Sequence, residues 1–272
     1  MDVPKAKNVV IILLLAFNIF LLVNTLIFRS SQGVSRGKLE NTRIILEKRG
    51  IRLECELPSK PGGSNRLVYI KSELDREDIA QRLLGDDYKV SGDGSQFFST
   101  GGKVEFTGTD SFIYAAEYTA RSRDTVSLKE AEEAAMKFMK EKRLLAGKYM
   151  LDRVAENGDG SRTLDYIEIY GESMLFDNCF SVTITGKEVS RLEYRRHQFR
   201  GLSNENTERF EAYQALLAYF KEGNDIIITS IDSGYKLEEP SMEEVESVEL
   251  LPVWRVKIKG MHEPVYISPH DT

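Results

Sequence analysis

The sequence predicts an α+β protein in which a single N-terminal transmembrane helix precedes antiparallel sheets with helices packed on one face. Three observations support this prediction: one long apolar run, several amphipathic helical segments, and strand-like segments that follow each helix in consecutive groups. Consecutive strands favour antiparallel sheets, whereas a doubly wound parallel sheet needs strands and helices in alternation. Two repeated helix-plus-meander units are expected in the second half of the chain.

The membrane anchor is predicted over residues 9–28, a run without any charged side chain. At about 1.5 Å per residue this run spans a hydrocarbon core of about 30 Å, and it exceeds the apolar region of a secretory signal, about 7–15 residues. No small-x-small cleavage site follows it, so we expect an uncleaved anchor. The basic tail, residues 1–8, is expected in the cytoplasm, because long following domains translocate largely regardless of their charge. The C-terminal domain is therefore predicted to be extracytoplasmic.

Two amides interrupt the predicted anchor. Asn18 lies close to its midpoint and Asn24 near its end. An amide in hydrocarbon is costly unless it is hydrogen-bonded, and another membrane helix can supply the partner. Contact with a partner helix is one interpretation of Asn18 and Asn24, and tolerance of both amides within a strongly apolar run is the other.

Helical and strand patterns divide the rest of the chain. The clearest helix is predicted from Ser127 to Leu145, with Ser127 and Glu130 as a capping box and Gly147 as the stop. Further helices are predicted over 39–49, 75–84 and 207–222. Strands are predicted over 51–57, 88–90, 96–99, 103–107, 112–118, 148–154, 163–170, 180–185, 188–195, 225–231, 248–259 and 264–268. These elements predict an N-terminal α+β region at 29–124, a middle helix-plus-strands unit at 125–200 and a C-terminal unit at 201–272.

The charge balance argues against a nucleic-acid-binding protein. The chain has 37 basic and 43 acidic residues, for a net charge of −6. Its composition gives no basic stripe for anionic lipid or polyanionic wall polymers, so electrostatic steering would favour cationic or neutral partners.

Cys55 and Cys179 are the only cysteines and lie far apart in the sequence. Outside the cytoplasm they could pair, and closing so long a loop would stabilise the fold by about 4 kcal/mol. The other interpretation is two unpaired small hydrophobic residues, with Cys179 buried in a strand.

Catalytic and metal-binding motifs are scarce. His197, His262 and His270 have no metal-ligand spacing, and we interpret them as solvated or hydrogen-bonded side chains. The alternating oxygen-bearing residues from Asn157 to Asp165 hint at a calcium loop, but the sixth position of an EF-hand would be Arg162 instead of glycine, so we predict only a turn. No catalytic residue, metal site or cofactor is therefore predicted.

Short motifs along the chain resemble the YycI family and the related YycH proteins. The opening Met1–Lys7 is similar to the family's M-D-W-S-K-x-K start, with Val3 and Pro4 where that pattern has Trp and Ser. The other similar segments are Ala16–Leu21 in the anchor, Ile45–Ile51 ending in Leu57-Pro58, and Leu251–Val256 with Tyr266–Ser268. The resemblance covers essentially the whole chain.

The resemblance implies a membrane-anchored, non-enzymatic regulator of the YycFG (WalRK) two-component system, which governs cell-wall metabolism in Gram-positive bacteria. The implied partners are the sensor histidine kinase YycG (WalK) and YycH, and a homodimer or heterodimer would fit that role. Two alternatives belong to other classes. One is an extracytoplasmic binding module, similar to the inhibitory domains of protease propeptides, and the other is an anchored wall hydrolase.

Overall fold

The computed structural model describes residues 11–22, 33–60, 62, 65–70, 73–117, 126–206, 210–237 and 246–271. The helices are α1 (residues 11–22), α2 (Arg36–Lys48), α3 (Arg76–Leu84), α4 (Leu128–Glu141) and α5 (Ala212–Tyr219), with a short 3-10 helix at Pro269–Asp271. The strands are β1 (Ile51–Leu53), β2 (Asn65–Ile70), β3 (Lys89–Val90), β4 (Gln96–Ser99), β5 (Gly102–Phe106), β6 (Ser111–Ala116), β7 (Lys148–Glu156), β8 (Arg162–Tyr170), β9 (Ser173–Thr185), β10 (Glu188–Arg195), β11 (Gln198–Asn206), β12 (Ile226–Tyr235), β13 (Ser247–Leu250), β14 (Pro252–Ile258) and β15 (Val265–Ile267). The α+β class agrees with the sequence prediction.

The predicted anchor is described only in part. Residues 11–22 are helical and their large apolar side chains are exposed. Within the described ranges, no helix has both the length and the apolar composition needed to cross a membrane. The tail at 1–8 and the remainder of the run at 9–28, including Asn24, lie outside the described residues.

The main sheet has twelve strands and branches at β9. Residues 179–185 of β9 pair with β10, and the sheet continues through β6, β5 and β4 to β3. The start of β9 pairs in parallel with the end of β12, from which the sheet continues through β14 to β15. The other edge of β9 pairs with β8, and β7 lies beyond β8.

Two parallel pairings contradict the expectation of antiparallel sheets alone. β12 pairs in parallel with β9 and also with β1, where Ile51 aligns with Ile226. Parallel neighbours need long crossover connections, and β1 and β12 are separated by most of the chain. A pattern of neighbouring residues in the sequence cannot reveal the pairing of two strands so far apart.

Helices and strands form two halves with separate cores. The first half contains α3, α4 and β3–β10, and the second contains α2, α5, β1, β12, β14 and β15. In the second core, Leu46 and Ile51 are fully buried with Leu216 and Val256. Residues 36–57 therefore pack with residues 210–267 across a large sequence separation. The division of the chain at residues 124 and 200 stays a prediction.

In each half the helices pack on one face of the sheet, and the opposite, helix-free faces meet. Ile167 and Cys179 of the first half pack with Phe176, Val253 and Tyr266. Since Val253 and Tyr266 belong to β14 and β15, this small cluster joins the two halves.

A second sheet of three strands has the order β11-β2-β13. Its Leu67 and Tyr69 are fully buried against Leu175 and Tyr235 of the main sheet. Strands β2 and β11 were not predicted from the sequence, and β13 and β14 were predicted as one strand at 248–259. Leu250 and Pro252 belong to different sheets, so the chain changes sheet at Leu251.

Helix α4 confirms the predicted capping box but not the predicted end. The Ser127 hydroxyl accepts from the Glu130 backbone amide, and the Glu130 side chain accepts from the Ser127 amide. The helix ends at Glu141 because Arg143 adopts a left-handed conformation, with φ of 53°. Gly147 therefore lies beyond the helix and does not stop it.

Two predicted hairpins are confirmed. The β7–β8 hairpin contains the turn at residues 157–160, and the β9–β10 hairpin turns at Gly186-Lys187. Strand β9 starts at Ser173, seven residues before the predicted start. Helix α5 spans Ala212–Tyr219 of the helix predicted at 207–222, and residues 207–209 lie outside the described residues.

Candidate functional site

A cleft of about 850 Å³ lies between the two helix-free faces. One wall consists of the outward-facing residues of β8, β9, β10 and β6, such as Asp165, Ser181 and Arg195. The other wall is the β14–β15 hairpin, including Met261 and His262. No helix within the described ranges contributes a residue to this cleft.

A bulge in β9 joins the walls of the cleft. Ile167 of β8 aligns with Cys179, but the next residue, Glu168, aligns with Leu175. Residues 176–178 are thus left out of the ladder. A bulge bends its strand and re-aims its side chains, and here the three side chains point to three different elements.

Each bulge residue has a distinct contact. Phe176 lies under the Arg255 guanidinium, 4.8 Å from ring centroid to Cζ, and against Tyr266. Asp177 Oδ2 accepts from the Leu237 backbone amide at 2.6 Å. Asn178 is fully buried and exchanges hydrogen bonds with the backbone of His197.

An ionic cluster at the base of the cleft connects the halves. Asp152 is the extra residue of a second bulge, in β7 between Leu151 and Arg153. Its carboxylate accepts two hydrogen bonds from Arg255, at 2.7 and 2.9 Å, and one from Lys257 at 2.8 Å. Arg255 is only 2% exposed and also donates to Asp232 at 2.9 Å. This paired, forked geometry is what a buried guanidinium requires.

The ionic cluster shifts the pKa values of its members. Burial alone would raise the pKa of Asp152, but hydrogen bonds from Arg255 and Lys257 outweigh it and hold that pKa below its usual range. Burial alone would lower the pKa of Arg255, yet the bonds to Asp152 and Asp232 raise it. Both groups are therefore charged at neutral pH.

A second buried polar group lies behind the bulge. Glu168 accepts from Arg196 at 3.0 and 3.2 Å and from the Asn178 amide at 2.8 Å. Next to it, His197 Nδ1 lies 2.7 Å from Asp110 Oδ2, and the His197 ring stacks on Tyr69 of the small sheet. This group fixes the main sheet against the small sheet.

The groups in the cleft are suited to binding. Burial raises the pKa of the Cys179 thiol to about 11, so at neutral pH it is protonated and a weak nucleophile. The Ser181 hydroxyl donates to Asp165 at 2.6 Å, and the His262 Nε2 lies 3.2 Å from the Arg153 guanidinium. In the described part of the chain, no group of three or more His, Cys, Asp and Glu side chains is placed to hold a metal ion.

Comparison with protein families matches residues 30–266 to the family described as YycI protein. The chain belongs to the YycI family. YycI is a regulatory family, and membership indicates a regulator of the YycFG two-component system. Among solved structures, the chain is similar to the Bacillus megaterium YpeB C-terminal domain, with 12% identity, coverage of 70% of this chain and 90% of that one, and a TM-score of 0.37. A comparison with curated proteins gave no match.

The motifs that resemble the YycI family adopt defined structure wherever they are described. Ile45–Ile51 forms the end of α2, the turn at Gly50 and the start of β1, and Leu251–Val256 leads into β14. Trp254 is buried, and its indole Nε1 donates to the Phe210 carbonyl at 2.8 Å. These YycI motifs therefore build the second core.

The residues singled out in the sequence do not converge on one site. The Asn18 Nδ2 donates to Leu14 of its own helix at 2.9 Å, and Asn24 lies outside the described residues. His197 is in the buried polar group, His262 lines the cleft, and His270 is in the 3-10 helix. Cys55 and Cys179 are both free thiols.

The ionic cluster of this YycI-family chain was not predicted from the sequence. Arg255 is a charge within the apolar run Pro-Val-Trp-Arg-Val, and such a residue in a central strand must have a buried partner. That signal identifies Arg255 as unusual. It does not identify Asp152, because the β7 bulge that aims this carboxylate depends on the pairing with β8.

Proposed function

We propose that this YycI-family protein is a membrane-anchored accessory regulator that binds a sensor histidine kinase of the YycG (WalK) type. By binding, it modulates the two-component signalling that controls cell-wall metabolism. The supporting observation is the family match over residues 30–266, the region that follows the predicted anchor. YycH is a further proposed partner.

The proposed location rests on the apolar run at 9–28. In this proposal the run spans the bilayer with residues 1–8 in the cytoplasm, and the folded domain lies on the extracytoplasmic side. Asn18 and Asn24 are the proposed contacts with a partner helix. Asn18 retains its carbonyl oxygen and one N–H for such a contact after donating to Leu14.

The mechanism we propose is differential binding. A bound accessory protein shifts a kinase between signalling states only if it binds one state more tightly than the other. The cleft offers a recognition surface with paired charges, and its protonated thiol and carboxylate-bound serine hydroxyl favour recognition over catalysis. These features support a regulator rather than a wall hydrolase.

The test is crosslinking in cells with the full-length tagged protein and a version whose residues 1–28 are replaced by an unrelated anchor. We expect the native chain to capture the kinase and the exchanged chain to lose it. Capture by both would move recognition to the extracytoplasmic domain. Capture by neither would contradict kinase binding and favour an independent binding module.

A second crosslinking experiment tests the two amides of the predicted anchor. Asn18→Leu with Asn24→Leu should reduce kinase capture, because it removes both proposed interhelical hydrogen bonds. Thr25→Val is the control, since it removes a polar group of the same run without removing an amide. Unchanged capture and signalling output in the double variant would show that the amides do not contact the kinase.

A further inference from the structure

Basic and apolar side chains are exposed on the outer side of α2 and near the end of α5. Ile44 and Ile45 are 42% and 39% exposed on α2, and Tyr219 of α5 is 44% exposed. The Lys38 ammonium lies 5.9 Å from the centre of the Tyr213 ring. We call Lys38, Ile44, Ile45, Lys48 and Tyr219 the α2 patch.

The two helices hold the α2 patch in a fixed arrangement. Arg49, just after α2, donates to the carbonyls of Leu217 and Phe220 at the end of α5, at 2.6 and 2.8 Å. The buried face of α2 consists of Thr42 and Leu46, which leaves Ile44 and Lys48 on its outer side. The ends of α2 and α5 are therefore held together by Arg49.

Local charge sets the patch apart from the rest of an acidic molecule. Between residues 36 and 52 there are six basic and two acidic residues, a local charge of +4, against −6 for the whole chain. At 100° per residue, Lys38 and Ile45 share one flank of α2, and Ile44 and Lys48 lie on its outer side. The two acidic residues, Glu40 and Glu47, lie on the flank opposite Lys38, next to Ile44. The expectation of no basic stripe for anionic lipid rests on the composition of the whole chain, and residues 36–52 differ from that average.

The position of α2 in the chain favours a membrane as the occupant. Only residues 29–35 separate the proposed anchor from α2, and seven residues reach at most about 25 Å. Three partly exposed side chains fall well short of the roughly 800 Å² that each partner buries in a standard protein interface. Lysines with exposed isoleucine and tyrosine side chains instead match a helix that lies in the headgroup region.

We propose that the α2 patch rests on the surface of the bilayer, with its lysines on anionic phospholipid headgroups and Ile44, Ile45 and Tyr219 inserted shallowly. This inference rests on the proposed membrane anchor. It orients the extracytoplasmic domain relative to the membrane, because α2 is part of the second core. It also identifies the class of lipid, since lysines bind anionic headgroups more strongly than zwitterionic ones.

The experiment uses the full-length chain in liposomes whose acyl chains carry bromine, a short-range quencher of tryptophan. Tyr219→Trp places a probe in the α2 patch, and Phe98→Trp is the control, because Phe98 is similarly exposed, at 38%, in β4 of the other half. The native Trp254 is buried and is present in both variants. We expect brominated phosphatidylglycerol to quench the probe at position 219 and to leave the probe at 98 unchanged.

Charge dependence provides the second measurement. Quenching at position 219 should decrease in phosphatidylcholine, in 1 M salt, where the Debye length falls to about 3 Å, and after Lys38→Gln with Lys48→Gln. Equal quenching at 219 and 98, or none at 219, would overturn the proposal. Protection of position 219 by added kinase without any lipid quenching would also overturn it and indicate a protein contact.

Alkaline carbonate extraction separates this proposal from the anchor. A chain retained in the membrane but not quenched at position 219 contradicts the α2 patch and leaves the anchor intact. A chain that carbonate removes, but that lipid quenches beforehand, contradicts the anchor and supports the patch. A chain that is neither retained nor quenched contradicts both.

Discussion

At position 147 the residue type is restricted to glycine by a side chain that is distant in the sequence. A β-carbon at this position would overlap the carboxylate of Glu168. Glu168 cannot move away, because it is 2% exposed and bonded to Arg196 and Asn178. Glycine is required at 147 by close packing, and not as the helix stop that the sequence suggested.

We expect Gly147→Ala to lower the free energy of unfolding by about 2 kcal/mol, since it overpacks a buried, fully bonded group. Gly158→Ala is the matched control: a β-carbon there meets nothing within 4 Å, and the change should stay within about 0.5 kcal/mol. Chemical denaturation of both variants measures the difference. Equal stability of the two would show that Glu168 has room to shift.

At the level of elements, α4 is the segment that sequence specifies best. Its capping box is complete, and Val126 and Ala131, on either side of the cap, are both buried in the first core, as in a hydrophobic staple. Helix α2 differs, because its N-cap Ser35 makes no side-chain capping bond. The same residue type thus has different roles at the two helix starts.

Ser127→Ala should destabilise the protein by about 1 kcal/mol through loss of the cap, whereas Ser35→Ala should have almost no effect. Thermal or chemical denaturation of the two variants tests this contrast. A loss as large for Ser35→Ala as for Ser127→Ala would mean that capping is not the cause.

The elements that sequence predicted are those with local signals. The β7–β8 turn and the α4 cap depend on neighbouring residues, and both are confirmed. Strand β2 was missed because its Leu67 and Tyr69 are buried by residues from β9 and β12, far away in the sequence. The cleft was missed for the same reason: Asp152 and Arg255 are about a hundred residues apart, and they meet across two strands that are distant in the sequence.

At the scale of the whole molecule, the Asp152–Arg255 pair is a buried ionic link between the halves. Removing the charge of Asp152 leaves Arg255, which is buried, with Asp232 as its remaining carboxylate. Breaking a buried pair from one side is costly because the other charge stays desolvated.

We therefore expect Asp152→Asn to lower stability by about 2–3 kcal/mol at pH 7. Because the folded-state pKa of Asp152 is lowered, its contribution is present above the ordinary aspartate pKa of about 4 and is lost as pH falls through the lowered value. The difference between variant and parent should thus shrink in acid. Glu172→Gln, in an exposed pair with Lys60 at 3.5 Å, is the control and should change little. A deficit that stayed constant in acid would exclude the charge as its cause.

The parallel pairing of β1 with β12 also sets an order of events during biosynthesis. A chain made from its N-terminus produces α2 and β1 first, yet Leu46 and Ile51 are buried by residues 212–267, which are made last. The apolar side chains of α2 and β1 therefore stay exposed until nearly the entire polypeptide has been synthesised. Contacts of such high sequence separation form slowly, so a chain truncated before β14 would leave an incomplete second core for chaperones and proteases to act on.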